Sequence, residues 1–131
     1  FGLYDAILIK DNHLSAVNSL AGAIRRAKDY APHVAKVEIE VSSIDQLKEA
    51  LAAGAVAILL DNMDIPTLKE AVALAGGKAV LEASGGVNLK NVREIAETGV
   101  DMISIGALTH SAPACDISLR LSILSPHTPG K

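Results

Sequence analysis

The feature that most constrains the fold is a regular alternation of short apolar segments with segments of helical periodicity. The apolar segments are rich in Val, Ile and Leu, and each predicts a β-strand. The helical segments repeat apolar residues every three or four positions, which gives each helix one apolar face. The predicted strands are AILIK (6–10), KVEIEV (36–41), VAILLD (56–61), AVLEAS (79–84) and MISIG (102–106), and the predicted helices cover 16–30, 44–53, 65–75 and 88–98.

Residues typical of helix ends flank the predicted helices. Ser42 or Ser43 precedes the second helix, and Asp64 precedes the third, which has Pro66 in its first turn. Asn88 precedes the fourth helix. A glycine follows three of the helices, where a left-handed backbone is common, at positions 54, 76 and 99. The loops between strands and helices are therefore predicted to be short.

This alternation predicts an α/β fold, because parallel strands need a crossover helix between them. Mostly continuous apolar strands predict that both faces of the sheet are covered. Glu38 and Glu40 depart from this pattern, since they fall on one face of a strand expected to be buried. No G-x-G-x-x-G motif follows any strand, so the dinucleotide-binding signature of doubly wound sheets is absent. We therefore favour a (β/α) barrel over an open doubly wound sheet.

Composition excludes several classes of protein. The chain has 131 residues, of which 50% are hydrophobic, so it can bury a core as one domain or part of one. Its net charge is −3, its basic residues are scattered and only 2% of residues are aromatic, which argues against nucleic-acid binding. The longest apolar stretch, residues 50–60, is too short to cross a membrane. The single cysteine, Cys115, is predicted to be buried and fits a reducing, cytoplasmic location.

Polar residues collect where the predicted strands end. Parallel barrels build their active sites at the carboxyl ends of the strands, so we predict the active site there. Five of the five strands follow this pattern, whereas turn chemistry alone explains each residue only singly. The residues concerned are Lys10, Glu40, Asp61, Glu82, Ser84 and Gly106.

The stretch SGG (84–86) predicts a phosphate-binding turn, because two glycines allow the backbone to present its N–H groups at the start of the helix near residue 88. The stretch IGA (105–107) is a second glycine turn one unit later. Glu82 would repel a phosphate, so we expect it either to pair with a cation or to face the other way.

Glu40 and Asp61 can hold ribose hydroxyls or Mg²⁺, which prefers oxygen ligands. Lys10 supplies positive charge for an anionic substrate. The residues alone therefore predict a phosphorylated sugar with a second anion beside it, and no specific reaction.

Six motifs carry a family resemblance. They are GLYDAILIKDNH (2–13), VEIEV (37–41), ILLDNM (58–63), LEASGGV (81–87), TGVDMISIGALTHSA (98–112) and DISLRL (116–121). In this order and at these separations they resemble nicotinate-nucleotide pyrophosphorylase, also called quinolinate phosphoribosyltransferase, over residues 1 to about 122. The resemblance implies the C-terminal part of an incomplete TIM-like barrel, and an enzyme that joins quinolinate to phosphoribosyl pyrophosphate with Mg²⁺. The implied products are nicotinate mononucleotide, pyrophosphate and CO₂.

The resemblance also implies roles for individual residues. Lys10, Glu40 and Asp61 are implied to be catalytic: Lys10 lies between the quinolinate carboxylates and the phosphoribosyl group, and Glu40 and Asp61 hold the ribose and its Mg²⁺, if needed through water. The residues implied to bind phosphate or substrate beside them are Ser84, Gly85, Gly86, Gly106, Ala107 and His110. His13 is expected to be a hydrogen-bonded structural residue in a loop.

The resemblance further implies that an N-terminal domain and the first barrel strands lie outside this sequence, together with the arginines and the histidine that surround the quinolinate carboxylates. We therefore expect the 131-residue chain to be inactive alone. Residues 123–131 are expected to form a disordered tail. A homodimer or a higher homo-oligomer is implied for the full-length protein.

Three alternatives remain open. A paralogue of the same fold from molybdenum-related operons would differ in the upstream residues that bind the carboxylates. Another phosphate-binding barrel enzyme, such as an isomerase of amino-acid biosynthesis, would need a general acid/base pair, and the LIKDNH motif argues against it. A remnant that only binds or assembles is not excluded by any residue.

Overall fold

The computed structural model describes residues 5–17, 19–31, 35–115 and 117–119. They contain five strands and six helices, and one or two helices separate each strand from the next. The strands are β1 (Ala6–Ile9), β2 (Lys36–Val41), β3 (Ala57–Asp61), β4 (Val80–Ser84) and β5 (Met102–Ile103). The helices are α1 (Asp11–Ser15), α2 (Leu20–Tyr30), α3 (Ile44–Ala52), α4 (Ile65–Ala75), α5 (Val92–Ala96) and α6 (Ala107–His110).

The strands form one parallel sheet in the order β1-β2-β3-β4-β5, the same order as in the sequence. Successive crossovers of one hand then bring the connecting helices α2, α3, α4 and α5 to the same face, as in a (β/α) barrel. Neighbouring helices accordingly pack on each other, α2 on α3, α3 on α4 and α4 on α5. The predicted α/β class and the partial barrel are both confirmed.

The core lies between the sheet and these helices. Ile9, Ile39 and Ile58 occupy one row across adjacent strands, and each is at most 4% exposed. Apolar faces of the helices cover this row through Ile24, Leu47 and Leu68, which are equally buried. Along β2, buried residues occupy every second position and alternate with more exposed ones. Among residues 5–17, 19–31, 35–115 and 117–119 the helices cover only one face, so the predicted cover on both faces is not found in this part of the chain.

The helix boundaries confirm some capping predictions and correct others. Ser43 and Asp64 cap α3 and α4 by accepting hydrogen bonds from the backbone N–H groups of Gln46 and Thr67. The helix predicted over 16–30 begins only at Leu20, after its cap Ser19. The helix predicted over 88–98 is limited to Val92–Ala96, and β5 is shorter than predicted.

Two further expectations change. Residues 11–15, including His13, form the short helix α1 rather than a loop. Cys115 is exposed, not buried, because the chain after α6 runs over the surface. The expected tail over 123–131 lies outside the described residues. None of the helices in the described part of the chain has the length and apolarity needed to cross a lipid bilayer.

The cap of α4 gives a prediction for the full-length protein. Two hydrogen bonds from Thr67 lower the pKa of Asp64, the one from its side chain more than the one from its backbone. Asp64→Ala should lower the melting temperature by roughly 2–4 °C, because an N-terminal N–H loses its acceptor. Asp64→Asn is the matched control, since it keeps an oxygen acceptor and should retain most of the stability.

The pH dependence of the same cap has a defined sign. Because the folded pKa is lowered, the stabilisation by the Asp64 carboxylate is present above its unfolded pKa and is lost as the pH falls through the folded pKa. The difference in melting temperature between the native protein and Asp64→Asn should therefore shrink from pH 7 to below about pH 4. A difference that grows towards acid pH would contradict this assignment.

Candidate active site

The charged residues of the strands share the sheet face that the helices leave open. Paired residues of adjacent strands point to the same face, and Glu40 pairs with Leu59, which pairs with Glu82. Glu38 and Asp61 lie two positions away along their strands and so project to the same side. Leu59 is buried but is separate from the core cluster beneath the helices. We call this surface, comprising Lys10, Glu38, Glu40, Asp61, Glu82, Ser84 and Ser104, the open face.

Lys10 and Glu40 meet at the carboxyl ends of β1 and β2. The Lys10 ammonium nitrogen lies 3.6 Å from the Glu40 carboxylate oxygen Oε2. The Glu40 side chain is only 15% exposed, whereas that of Lys10 is 53% exposed. The predicted position of Lys10 beyond a strand end is confirmed, with β1 ending one residue earlier, at Ile9. A carboxylate thus holds the ammonium at the open face while leaving much of it accessible.

Asp61 is connected to the glycine turn through Asn62. Asp61 pairs with Ser84 at the ends of β3 and β4, and Asn62 donates a side-chain hydrogen bond of 3.0 Å to the Asp61 carboxylate. Asn62 has a positive φ of 53°, a conformation in which Asn is enriched. A Cβ atom on Gly85 would overlap the Asn62 side chain, and Gly85 itself has a φ of +93°. Glycine is therefore required at position 85 for both space and backbone conformation.

Glu82 follows neither of its two expected arrangements. It lies on the open face and accepts a hydrogen bond from the Ser104 hydroxyl, rather than pairing with a cation or facing away. Partial burial raises the pKa of Glu38, and repulsion by the Glu82 carboxylate raises it further. Among the described residues, the positive side chains on this side of the sheet are Lys10 and Lys36, against the four carboxylates of the open face, and Lys36 lies two positions before Glu38 on β2. The open face therefore carries an excess of negative charge.

Gly106 and His110 are brought together by the short helix α6. The His110 Nε2 atom would lie 2.7 Å from a Cβ atom on Gly106, so a side chain there would displace the imidazole ring. The other ring nitrogen, Nδ1, lies 2.8 Å from the Ser111 hydroxyl oxygen. Gly106 has an ordinary φ of −58°, so its lack of a side chain matters for space and not for a turn. Ala107 is the next residue and begins α6.

The glycine turn after β4 differs from the prediction at its far end. Gly86 also has a positive φ, of +61°, and its carbonyl accepts hydrogen bonds from the side chains of Asn88 and Asn91. The Asn88 backbone N–H donates to the Asn91 side chain, so it is already occupied. Because α5 begins only at Val92, a helix N-terminus near residue 88 cannot contribute to phosphate binding. The glycine turn itself remains as the candidate for that role.

The turns after β4 and β5 are neighbours at the same sheet edge. The Ser104 N–H donates a 2.9 Å hydrogen bond to the Ala83 carbonyl, which ties the end of β5 to β4. Residues 1–120 match the family model of the quinolinate phosphoribosyl transferase C-terminal domain. The chain belongs to this family.

Individual relatives and solved structures support the same family assignment. The chain is 42% identical over 123 residues to a probable nicotinate-nucleotide pyrophosphorylase of Bacillus subtilis, covering 94% of this chain and 43% of the relative. The NadC crystal structure from Streptococcus pyogenes matches with a TM-score of 0.81 and 41% identity, over 91% of this chain and 42% of that one. Nicotinate-nucleotide pyrophosphorylase from Ehrlichia chaffeensis matches with a TM-score of 0.79 and 47% identity, over 84% and 40% of the two chains. The chain thus spans less than half the length of these phosphoribosyltransferase relatives.

Three residues that contact or neighbour the predicted site residues were not assigned a role from the sequence. Asn62 donates a hydrogen bond to Asp61 and lies against Gly85, Ser104 donates a hydrogen bond to Glu82, and the Glu82 carboxylate helps to raise the pKa of Glu38. Ser104 could have been found by the same rule that identified the others, because it directly follows the end of β5. Asn62 could have been found as an Asn directly after a strand, where left-handed residues occur.

Proposed function

We propose that the full-length protein containing this chain transfers the phosphoribosyl group of phosphoribosyl pyrophosphate to quinolinate. The products are nicotinate mononucleotide, pyrophosphate and CO₂, which makes the enzyme a pentosyltransferase of NAD biosynthesis. The observation that carries the proposal is the arrangement of Lys10, Glu40 and Asp61 on one sheet face in a member of this family. It places an accessible ammonium beside carboxylates at the carboxyl ends of three adjacent strands.

The charges of the open face suit this reaction. As the bond from ribose C1 to pyrophosphate breaks, the leaving group takes the electron pair and the ribose gains oxocarbenium character. The Glu40 and Asp61 carboxylates stabilise that positive charge, while the Lys10 ammonium offsets negative charge on the departing and incoming anions. The quinolinate nitrogen then forms the new bond to C1. The side chains thus act by orientation and neutralisation.

Decarboxylation follows the transfer. Once its nitrogen carries the ribose, the pyridine ring is cationic and can accept the electron pair left when a carboxylate departs as CO₂. A proton then replaces the carboxylate on the ring carbon. The excess of negative charge on the open face favours a cationic ring over a neutral one.

Mg²⁺ is proposed as the metal of the reaction. Within the described residues, no three His, Cys, Asp or Glu side chains are grouped so as to hold a metal ion. Glu40 and Asp61 offer two carboxylates on adjacent strands, which fits Mg²⁺ because this ion takes one or two carboxylates together with substrate oxygens and water. When bound there it would neutralise pyrophosphate charge.

The assembly and compartment are also proposals. We propose a homodimer or a higher homo-oligomer for the full-length protein, as the family resemblance implies. We propose a cytoplasmic location from the single cysteine, which fits a reducing compartment. By contrast, the Arabidopsis thaliana relative is named as chloroplastic.

The reaction is tested with the purified full-length protein, quinolinate labelled at its 2-carboxylate, phosphoribosyl pyrophosphate and Mg²⁺. Nicotinate mononucleotide and labelled CO₂ should form in equal amounts. Nicotinate in place of quinolinate is the matched control, since it has no second carboxylate to release. A folded protein that forms neither product would contradict the proposed function.

The glycine turn provides a separate prediction. Gly85→Ala should weaken the binding of phosphoribosyl pyrophosphate about tenfold or more, equivalent to ~1.4 kcal/mol, because the added methyl group displaces Asn62 from Asp61 and strains the backbone. Isothermal titration calorimetry of the full-length protein measures the change. Gly77→Ala is the matched control: Gly77 also has a positive φ, of +76°, but a Cβ atom there has nothing within 4 Å. Equal dissociation constants for the two variants would exclude a role for the turn.

A further inference from the structure

His13 is joined to the backbone of Lys10 by a hydrogen bond. The Lys10 N–H donates to the His13 Nδ1 atom at 2.9 Å. Lys10 precedes α1 as its N-cap, and His13 is the third residue of that helix. In a capping box this third position is usually Glu or Gln, whose side chain accepts a hydrogen bond from the cap N–H. The His13 imidazole performs the same task here, with Nδ1 as the acceptor.

The carbonyl group of Lys10 is held by the same helix. It accepts hydrogen bonds from the backbone N–H groups of His13 at 2.9 Å and Leu14 at 3.1 Å. The Lys10 ammonium has no acceptor atom and so cannot cap α1. It is left to extend to Glu40, 3.6 Å away. The backbone of Lys10 is therefore fixed on both sides while its charged end faces the site.

We propose that His13 is a positioning residue that fixes Lys10 for the reaction. This inference rests on the proposed function, since it requires Lys10 to act on the substrates. His13 acts through the Lys10 backbone and need not touch a substrate. Without the His13 ring, the Lys10 N–H loses its acceptor at the junction between β1 and α1. The Lys10 ammonium is then less well placed. A displacement of about 1 Å can reduce a rate by up to 10²-fold.

The test uses the full-length protein and steady-state kinetics with quinolinate and phosphoribosyl pyrophosphate. His13→Ala should lower kcat/KM by about 10- to 100-fold. His13→Gln should restore it to within about threefold of the native value, because Gln supplies the acceptor that capping boxes use. Circular dichroism of each variant verifies that it is folded. If His13→Gln is as impaired as His13→Ala, the inference is wrong.

A double-mutant cycle separates positioning from a purely structural role. If His13 acts through Lys10, adding His13→Ala to Lys10→Ala should lower kcat/KM by no more than about twofold further, because the group being positioned is already gone. Additive losses would overturn the inference. If Lys10→Ala is impaired and His13→Ala is not, the inference alone fails. If Lys10→Ala itself keeps native activity, the proposed role of Lys10 fails as well.

Discussion

Lys10→Ala in the full-length protein should lower kcat/KM for quinolinate by ~10²- to 10⁴-fold, the size expected for losing one charged transition-state partner. The Lys10 ammonium lies at the open face beside Glu40, where two anions must approach each other. A fixed cation offsets their repulsion only when both are present. The affinity for phosphoribosyl pyrophosphate alone should therefore change less than the rate.

Two variants control this result. Lys48→Ala removes a lysine from an exposed ion pair with Asp45 on α3 and should leave kcat/KM within about threefold of the native value. Lys10→Arg should restore activity only in part, because a planar guanidinium cannot replace a compact ammonium between two ligands. A Lys10→Ala enzyme as active as Lys48→Ala would mean that Lys10 is a structural residue.

Asp61→Asn and Glu40→Gln should each lower kcat by about 10²-fold or more, with a smaller change in KM. The reason is that the carboxylates attract a cationic ribose that exists mainly in the transition state. Both substitutions keep the size of the side chain, and Asn at position 61 can still accept a hydrogen bond from Asn62. The loss is therefore one of charge.

Asp45→Asn is the matched control for these carboxylates, since Asp45 is exposed on α3 and is not part of the open face. It should leave both kinetic constants unchanged within about twofold. If Asp61→Asn and Glu40→Gln raised only KM for quinolinate, with native kcat, their contribution would be to substrate binding alone.

The strands and the fold class could be predicted because their signals are strong and local. All five predicted strands are present in the structure, and sequential parallel pairing follows from their alternation with helices. The uncovered face could not be deduced from the hydrophobic content of strands, since β3 is apolar on both sides. Leu59 lies between Glu40 and Glu82 on the side of the open face, although it is apolar and buried.

The missed elements are those fixed by side-chain contacts. Helix α1 includes the hydrogen bond between the Lys10 N–H and His13. A helix of five residues is too short to be predicted from apolar periodicity. The late start of α5 depends on Asn91, whose side chain bonds the backbone of residues 86 and 88. Asn88 has the chemistry of a cap, but its side chain bonds the Gly86 carbonyl and the Lys90 N–H instead. Residue type alone does not predict whether an Asn side chain caps a helix or bonds a nearby loop backbone.

The candidate site was predicted in part. The positions of Lys10, Glu40 and Asp61 follow from a general property of parallel barrels, that strand ends converge. The contacts between Glu82 and Ser104 and between Asn62 and Gly85 depend on the register of neighbouring strands, which sequence alone does not define. The catalytic and substrate-binding roles of all the predicted site residues stay predictions: Lys10, Glu40, Asp61, Ser84, Gly85, Gly86, Gly106, Ala107 and His110.

The sequential strand order has a consequence for synthesis. Every major contact between elements joins units that follow one another in the chain, β1 with β2, β2 with β3, and α2 with α3. Translation adds about 5–20 residues per second, so a new unit leaves the ribosome about every one to six seconds. Each new unit packs on a unit that has already been synthesised. The described part of the nascent chain can therefore assemble the open face from Lys10 towards Ser104 in the order of synthesis.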